Sequence, residues 1–158
     1  MVLGILYWRK SCIFAGGIDF NSKYMEEKSH RPSDACQART TPERITELKD
    51  NEIFVFGSNL SGMHGGGAAL LAYRKFGAIW GQGVGLQGQS YGIPTMQGGV
   101  ETIKPYVDEF IEFAKQHPEL TFLVTRIGCG IAGFTNEEIS PLFEKAHGIS
   151  NIVLPPNW

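Results

Sequence analysis

Glycine is concentrated in two short runs, each following an apolar stretch: Ile53 to Ala69 reads IFVFGSNLSGMHGGGAA, and Leu123 to Phe134 reads LVTRIGCGIAGF. Without Cβ atoms, successive N–H groups can converge on one concavity, and a helix starting there adds its positive end. That chemistry suits a phosphate. Two such cradles at strand ends could hold a diphosphate between them, which predicts backbone contacts from Gly65, Gly66 and Gly67 on one side and from Gly128 to Gly133 on the other. Within the runs stand a few side chains able to do more. His64, an imidazole set among glycines, is expected to be accessible as a general base or phosphate contact, or else to be an idle loop residue. Asn59 at a strand end could bond a ribose hydroxyl or cap the turn that follows. Cys129 could be a nucleophile activated by loop amides or a small packing residue, and Phe134 could stack on a ring or fill the core. No Walker lysine follows GMHGGGAA, so magnesium-dependent triphosphate hydrolysis is disfavoured, and no nucleophile-elbow pattern is present.

The elements that must position these loops are legible as alternating strands and helices. Ile53 to Phe56 reads as a buried strand, and Gly67 to Phe76 as a helix with Ala68, Ala69, Ala72, Tyr73 and Phe76 facing inward. Tyr91 to Pro94 and Thr121 to Thr125 read as strands. Between them Thr102 to Gln116 is an amphipathic helix carrying Val107, Phe110, Ile111 and Ala114 at helical spacing. Thr135 and Glu138 form a capping box for a helix with Ile139, Leu142, Phe143 and Ala146 inward, and Asn151 to Leu154 is a last strand. Thr41-Pro42-Glu43 resembles a helix or turn start, and the Gly/Gln-rich stretch Gly81 to Gln89 reads as a lid or a solvated connection, with Gln89 as a further candidate group. The alternation predicts a mostly parallel sheet covered on both faces, with ligands at the carboxyl ends of its strands.

The 158 residues, 42% of them hydrophobic, suffice for one ordinary domain core, and the net charge of −2 with no basic cluster argues against duplex nucleic acid as a partner. Asn21 to Thr41 is polar and aperiodic, so residues 1–40 are expected to be an extension and 41–158 the domain proper. The opening MVLGILYW is too short to span a membrane and precedes its charges rather than following them. No membrane association is expected. Three cysteines lack metal-ligand spacing, which predicts no metal site, no cofactor and a cytoplasmic protein with at least one unpaired thiol.

The two loops resemble those of the macro-domain family. VFGSN (Val55 to Asn59) followed by LSGMHGGGAA is similar to the family's VNAAN strand and first loop, and Gly128-Cys129-Gly130-Ile131-Ala132-Gly133-Phe134 is similar to its second loop. Tyr91-Gly92-Ile93-Pro94-Thr95 looks like the family's middle strand, and the matches span roughly Ile45 to Leu154. Thr125 to Ile131 is especially close to the branch that removes ADP-ribose from glutamate. The resemblance implies a three-layer α/β/α macro-domain-like fold with a mostly parallel mixed sheet, and binding of ADP-ribose or a related nucleotide through Asn59, His64, Gly65, Gly66, Gly67 and residues 128–134, the ligand being free or carried on an ADP-ribosylated macromolecule. The departures from the family are specific. Arg44 stands where an adenine-contacting Asp is usual. Leu60 and Ala69 occupy the positions of one branch's catalytic Asn and Asp. Thr95 or Met96, together with Ala132, occupies those of another branch's Lys and Asp. Two functions follow as expectations: an ADP-ribosyl hydrolase that must use other groups, His64 and Asn59 first among them, or a reader that binds without turnover.

Overall fold

The structure, a computed structural model, describes residues 39–158. The expectations for Met1 to Phe20 and for the polar stretch up to Ala38, with Cys12 and Cys36, lie outside the described residues.

The chain order is β1 (Glu52–Ser58), α1 (Gly67–Lys75), β2 (Gly85–Gln87), β3 (Ser90–Pro94), α2 (Val100–Gln116), β4 (Thr121–Val124), α3 (Asn136–Ile139), a 3₁₀ helix (Ser140–Ala146) and β5 (Ile152–Val153). The five strands form one sheet in the order β2-β3-β1-β4-β5. Every neighbouring pair is parallel except the β2–β3 hairpin. The architecture is therefore a three-layer α/β/α fold on a mostly parallel mixed sheet.

The strands are apolar at both parities because both faces are covered. Ile53, Val55, Phe122 and Val124 pack on one side with Val107, Phe110, Ile111 and Ala114 of α2 and with Ile139 and Phe143. Phe54, Phe56 and Leu123 pack on the other with Ala69, Ala72 and Phe76 of α1 and with Ile45. Phe110 is the hub of the larger layer, its ring centroid 5.1 Å from that of Tyr91 and 5.4 Å from that of Phe122. Each fully buried side chain of this size contributes about 1.5–3 kcal/mol by leaving water.

Several local expectations are corrected. Thr41-Pro42-Glu43 starts no helix. Thr41 donates from its backbone N–H to Leu154 C=O (2.8 Å) and from Oγ1 to Val153 C=O (2.7 Å), which holds the segment extended beside β5. Tyr73 faces outward, while Ala69, Ala72 and Phe76 are buried against the sheet with Ala68 and Leu71 packed beside them. Gly81 to Gln89 is no lid: it contains β2, and its glutamine amides are engaged locally. Gln82 bonds the Val84 and Leu86 carbonyls, Gln87 the Ile79 N–H and the Gln82 carbonyl, and Gln89 the Lys49 carbonyl. The capping box of Thr135 and Glu138 is present, but the helix runs only to Ile139 before tightening into the 3₁₀ segment at Pro141, whose ring supplies no N–H.

Candidate functional site

Because β1, β3 and β4 are parallel neighbours, the chain leaves all three at one edge of the sheet. Both glycine loops begin there. A cleft of about 180 Å³ lies between them, lined from the first loop by Ser58, Asn59, Gly66 and Gly67, from the second by Arg126, Gly128, Gly130, Ile131 and Ala132, and from β3 by Thr95 and Met96. The loops meet at its floor: a Cβ on Gly57 would stand 3.2 Å from the Gly128 nitrogen, so a side chain at Gly57 would crowd the second loop. Gly128 itself has φ of 73°, which a residue with a side chain adopts only under strain.

The donors facing the cleft are peptide groups. The first bond within α1 runs from Leu70 N–H to Gly66 C=O, so the amides of Gly67, Ala68 and Ala69 have no partner in the helix. Gly66, the N-cap, offers no side chain to take their place, and the first turn holds no acid. Across the cleft, the amides of Gly130, Ile131 and Ala132 donate to no backbone or side-chain group among the described residues. The residues at the positive end of α1 and those carrying this second set of unpartnered N–H groups line the same space, an arrangement that suits an anion with oxygens on two sides.

Arg126 is the charged side chain on the cleft wall. Its guanidinium donates to Pro156 C=O at 3.3 Å. Arg126 and Thr125 also line a second cavity of about 290 Å³, bounded by Thr41, Pro42, Glu43, Val124, Pro155 and Pro156. The cleft and the cavity thus share a wall. Arg44 is exposed and lines neither space, whereas Glu43 lines the second.

Of the residues singled out from sequence, Asn59, Gly66, Gly67, Gly128, Gly130, Ile131 and Ala132 come together on the cleft, and His64, Gly65, Cys129, Gly133 and Phe134 do not line it. The expected accessibility of His64 is corrected: the residue is fully buried. Its Nε2 lies 3.0 Å from Ile79 C=O and 3.1 Å from Gln82 C=O, and Phe56 meets the ring edge-on at 5.3 Å between centroids. With two carbonyls as partners, Nε2 carries the proton, and the imidazole works as a clamp between the first loop and residues 79–82. Asn59 reaches the cleft, but its side-chain amide is occupied by Met63, donating to the Met63 carbonyl at 2.8 Å and accepting from the Met63 N–H at 3.0 Å. This is the turn-capping role weighed for it.

Cys129 turns from the cleft toward Asn136, with Sγ 3.6 Å from Oδ1. Burial pushes its thiol above the ordinary value, and Arg126 opposes this only in part. A neutral thiol directed inward is no nucleophile. Phe134 packs against the larger core layer. Thr95, Met96, Ala69 and Ala132, expected from the macro-domain resemblance at catalytic positions, do line the cleft, and none can ionise to activate water. Comparison with protein-family models, with curated proteins and with solved structures gave no match.

Sequence reasoning passed over Arg126, Ser58 and Glu43. Arg126 carried a readable signal, as a lone cation directly before a glycine turn. Ser58 and Glu43 carried none, because their place depends on how Gly83 and Pro155 fold back against them: the Ser58 hydroxyl donates to Gly83 C=O, and Glu43 reaches the second cavity only through the pairing of Thr41 with the C-terminal strand.

Proposed function

We propose that this protein binds ADP-ribose or a related nucleoside diphosphate, the pyrophosphate between the two glycine loops and the nucleoside in the second cavity, and that it does so as a reader without turnover. The observation that carries this reading is the convergence of free amides from α1 and from residues 130–132 on one cleft. Helix N-termini and amide nests recognise phosphate oxygens without side chains. The likeness of both loops to those of macro domains supports the same ligand class. The shared wall at Thr125 and Arg126 supports a ligand long enough to occupy both spaces, with Arg126 near the diphosphate and Pro155 and Pro156 offering flat apolar surface to a base. Glu43, rather than Arg44, is then the side chain able to accept from an exocyclic amino group.

A reader is favoured over a hydrolase by the absence of a titratable group suited to proton transfer among the cleft residues, with the His64 ring clamped inside and the Cys129 thiol turned away. Cys129, unpaired among the described residues, suits a cytoplasmic setting.

Calorimetry with ADP-ribose, AMP and ribose 5-phosphate tests the binding, and incubation with a mono-ADP-ribosylated protein tests the absence of turnover. ADP-ribose is expected to bind more tightly than either half, with no release of ADP-ribose from the modified protein. Lack of binding at millimolar ligand would sink the reading. Release of ADP-ribose from the modified protein would replace it with the hydrolase.

A further inference from the structure

Charge and exposed apolar surface are both segregated in this chain. From Ile53 to Val100 there is no Asp or Glu, so all 16 carboxylates lie outside the first loop, α1 and the β2–β3 hairpin, and the ionic side chains of that stretch are Arg74 and Lys75 alone. Both are exposed on α1, and neither forms an ion pair among the described residues. The same stretch holds nearly every large apolar side chain that stands open to water among the described residues, Trp80 (51% exposed) and Tyr73 (46%) among them.

Tyr73 and Trp80 are held together. The Tyr73 and Trp80 rings lie 5.6 Å apart between centroids, steeply inclined at 67°. Trp80 is anchored through its neighbours: Gly81 N–H donates to Gly62 C=O, and the buried His64 holds the carbonyls of Ile79 and Gln82. His64 also meets the Trp80 ring edge-on at 6.4 Å. The aromatic pair is thus presented by a braced turn and a helix, and little order has to be created when something stacks on it.

We propose that this surface docks a single-stranded nucleic acid, with bases stacking on Trp80 and Tyr73 and phosphates meeting Arg74 and Lys75. Exposed rings on a stretch of chain that carries two cations and no carboxylate of its own are the chemistry that holds unpaired bases, because every base has a π-face and the strand carries one charge per nucleotide. A duplex keeps its bases stacked inside, and two cations cannot hold it. An acidic peptide would meet the cations but leave the rings without a flat partner. A second copy of the chain would bring Arg74 and Lys75 against their own kind. The inference stands apart from the ligand in the cleft, since none of these four residues lines it.

The test uses the full chain and a fluorescently labelled oligothymidylate of about ten nucleotides, within the site sizes of known single-strand binders. Anisotropy is expected to rise on binding, with log K falling against log salt at a slope of about −1.4, as for two neutralised phosphates of a single strand. Trp80→Ala is expected to weaken binding about 5- to 150-fold, and Trp80→Phe to retain most of it. Arg74→Glu with Lys75→Glu is expected to remove the salt dependence. Equal affinity for the matching duplex, equal competition by polyglutamate, or binding unchanged in both Trp80→Ala and Tyr73→Ala would overturn the proposal. So would self-association that Trp80→Ala dissolves, or no binding at low salt by a chain that circular dichroism shows to be folded.

Discussion

Replacing Arg126 with Ala removes the charged side chain from the wall of the cleft while disturbing little else. The guanidinium is half-buried, and in the fold it has one hydrogen bond, to Pro156 C=O. Its loss costs stability about 0.5–1.5 kcal/mol. Its effect on a bound diphosphate is larger. A unit charge about 5 Å from another, at the effective dielectric of about 20 typical near a protein surface, is attracted by about 3 kcal/mol. Partial exposure, salt and the cost of ordering the side chain reduce this to the range of a charge-assisted hydrogen bond, about 1.5–3 kcal/mol. Arg126→Ala should therefore bind ADP-ribose about 13- to 160-fold more weakly. Arg126→Lys keeps the charge but loses the planar fork, and should fall between the two. Calorimetry at low and high salt reads both effects, because the part of the affinity due to this charge declines as salt is added. The reasoning fails if Arg126→Ala binds within twofold of the parent chain and with the same salt dependence.

Three further outcomes are expected. Gly66→Asp should raise helix stability by a few tenths of a kcal/mol, since Asp is a better N-cap and the backbone there is already extended, yet abolish diphosphate binding by placing a carboxylate at the anion's position; a melting curve and a titration should move in opposite directions. Cys129, examined in a chain with Cys12→Ser and Cys36→Ser, should alkylate slowly at pH 8, where a thiol raised above its ordinary 9.0 is less than about a tenth ionised, and Cys129→Ala should leave ligand affinity within about twofold. The Asp108 carboxyl is held below its ordinary 3.8 first by Lys104 and then by Lys145, which lie 2.7 Å and 3.0 Å away and link α2 to the 3₁₀ helix. Its folded value being depressed, the contribution is present above pH 3.8 and lost as pH falls through the folded value, so Asp108→Asn should flatten the acid limb of the stability curve, and about 1 M salt should shrink the difference.

The sheet and the larger helices were legible because apolar periodicity reports burial directly. Val107, Phe110, Ile111 and Ala114 share one face of α2 and all are buried. Phe54 and Val55 point to opposite faces of a covered sheet, which reads as a continuous apolar run. Tyr73 was misplaced because Ala69, Ala72 and Phe76 fill the contact of α1 with the sheet, and position 73 is one residue off that stripe. The strand β2 was hidden because its three residues are Gly85, Leu86 and Gln87, and its pairing with β3 comes from hairpin geometry, not from an apolar pattern.

The cleft divides in the same way. Glycines 66, 67, 128 and 130 were visible as a type of backbone, and they line the cleft. His64 was read as open because its neighbours in sequence are glycines, but bare backbone also lets residues 79–82 close over a ring. What surrounds a loop side chain is set by the segment that folds onto it, and here that segment, Ile79 to Gln82, lies well downstream. Glu43 and Arg126 meet the second cavity for the same kind of reason, through a strand contact made at the far end of the chain.

The bracing of the first loop has a mechanical consequence. Asn59 closes on Met63, His64 bolts the loop to Ile79 and Gln82, and the Ser58 hydroxyl holds Gly83 C=O, so three side chains immobilise one jaw before anything enters. The opposite jaw has the turn bonds Gly133 N–H to Gly130 C=O and Phe134 N–H to Gly128 C=O, with one thiol contact to Asn136. A diphosphate bound as proposed would therefore meet one fixed jaw and one more compliant jaw. Amide exchange from residues 59–64 should hardly change on loading, while residues 129–133 should slow markedly, and the opening of that second jaw would then set how long the ligand stays.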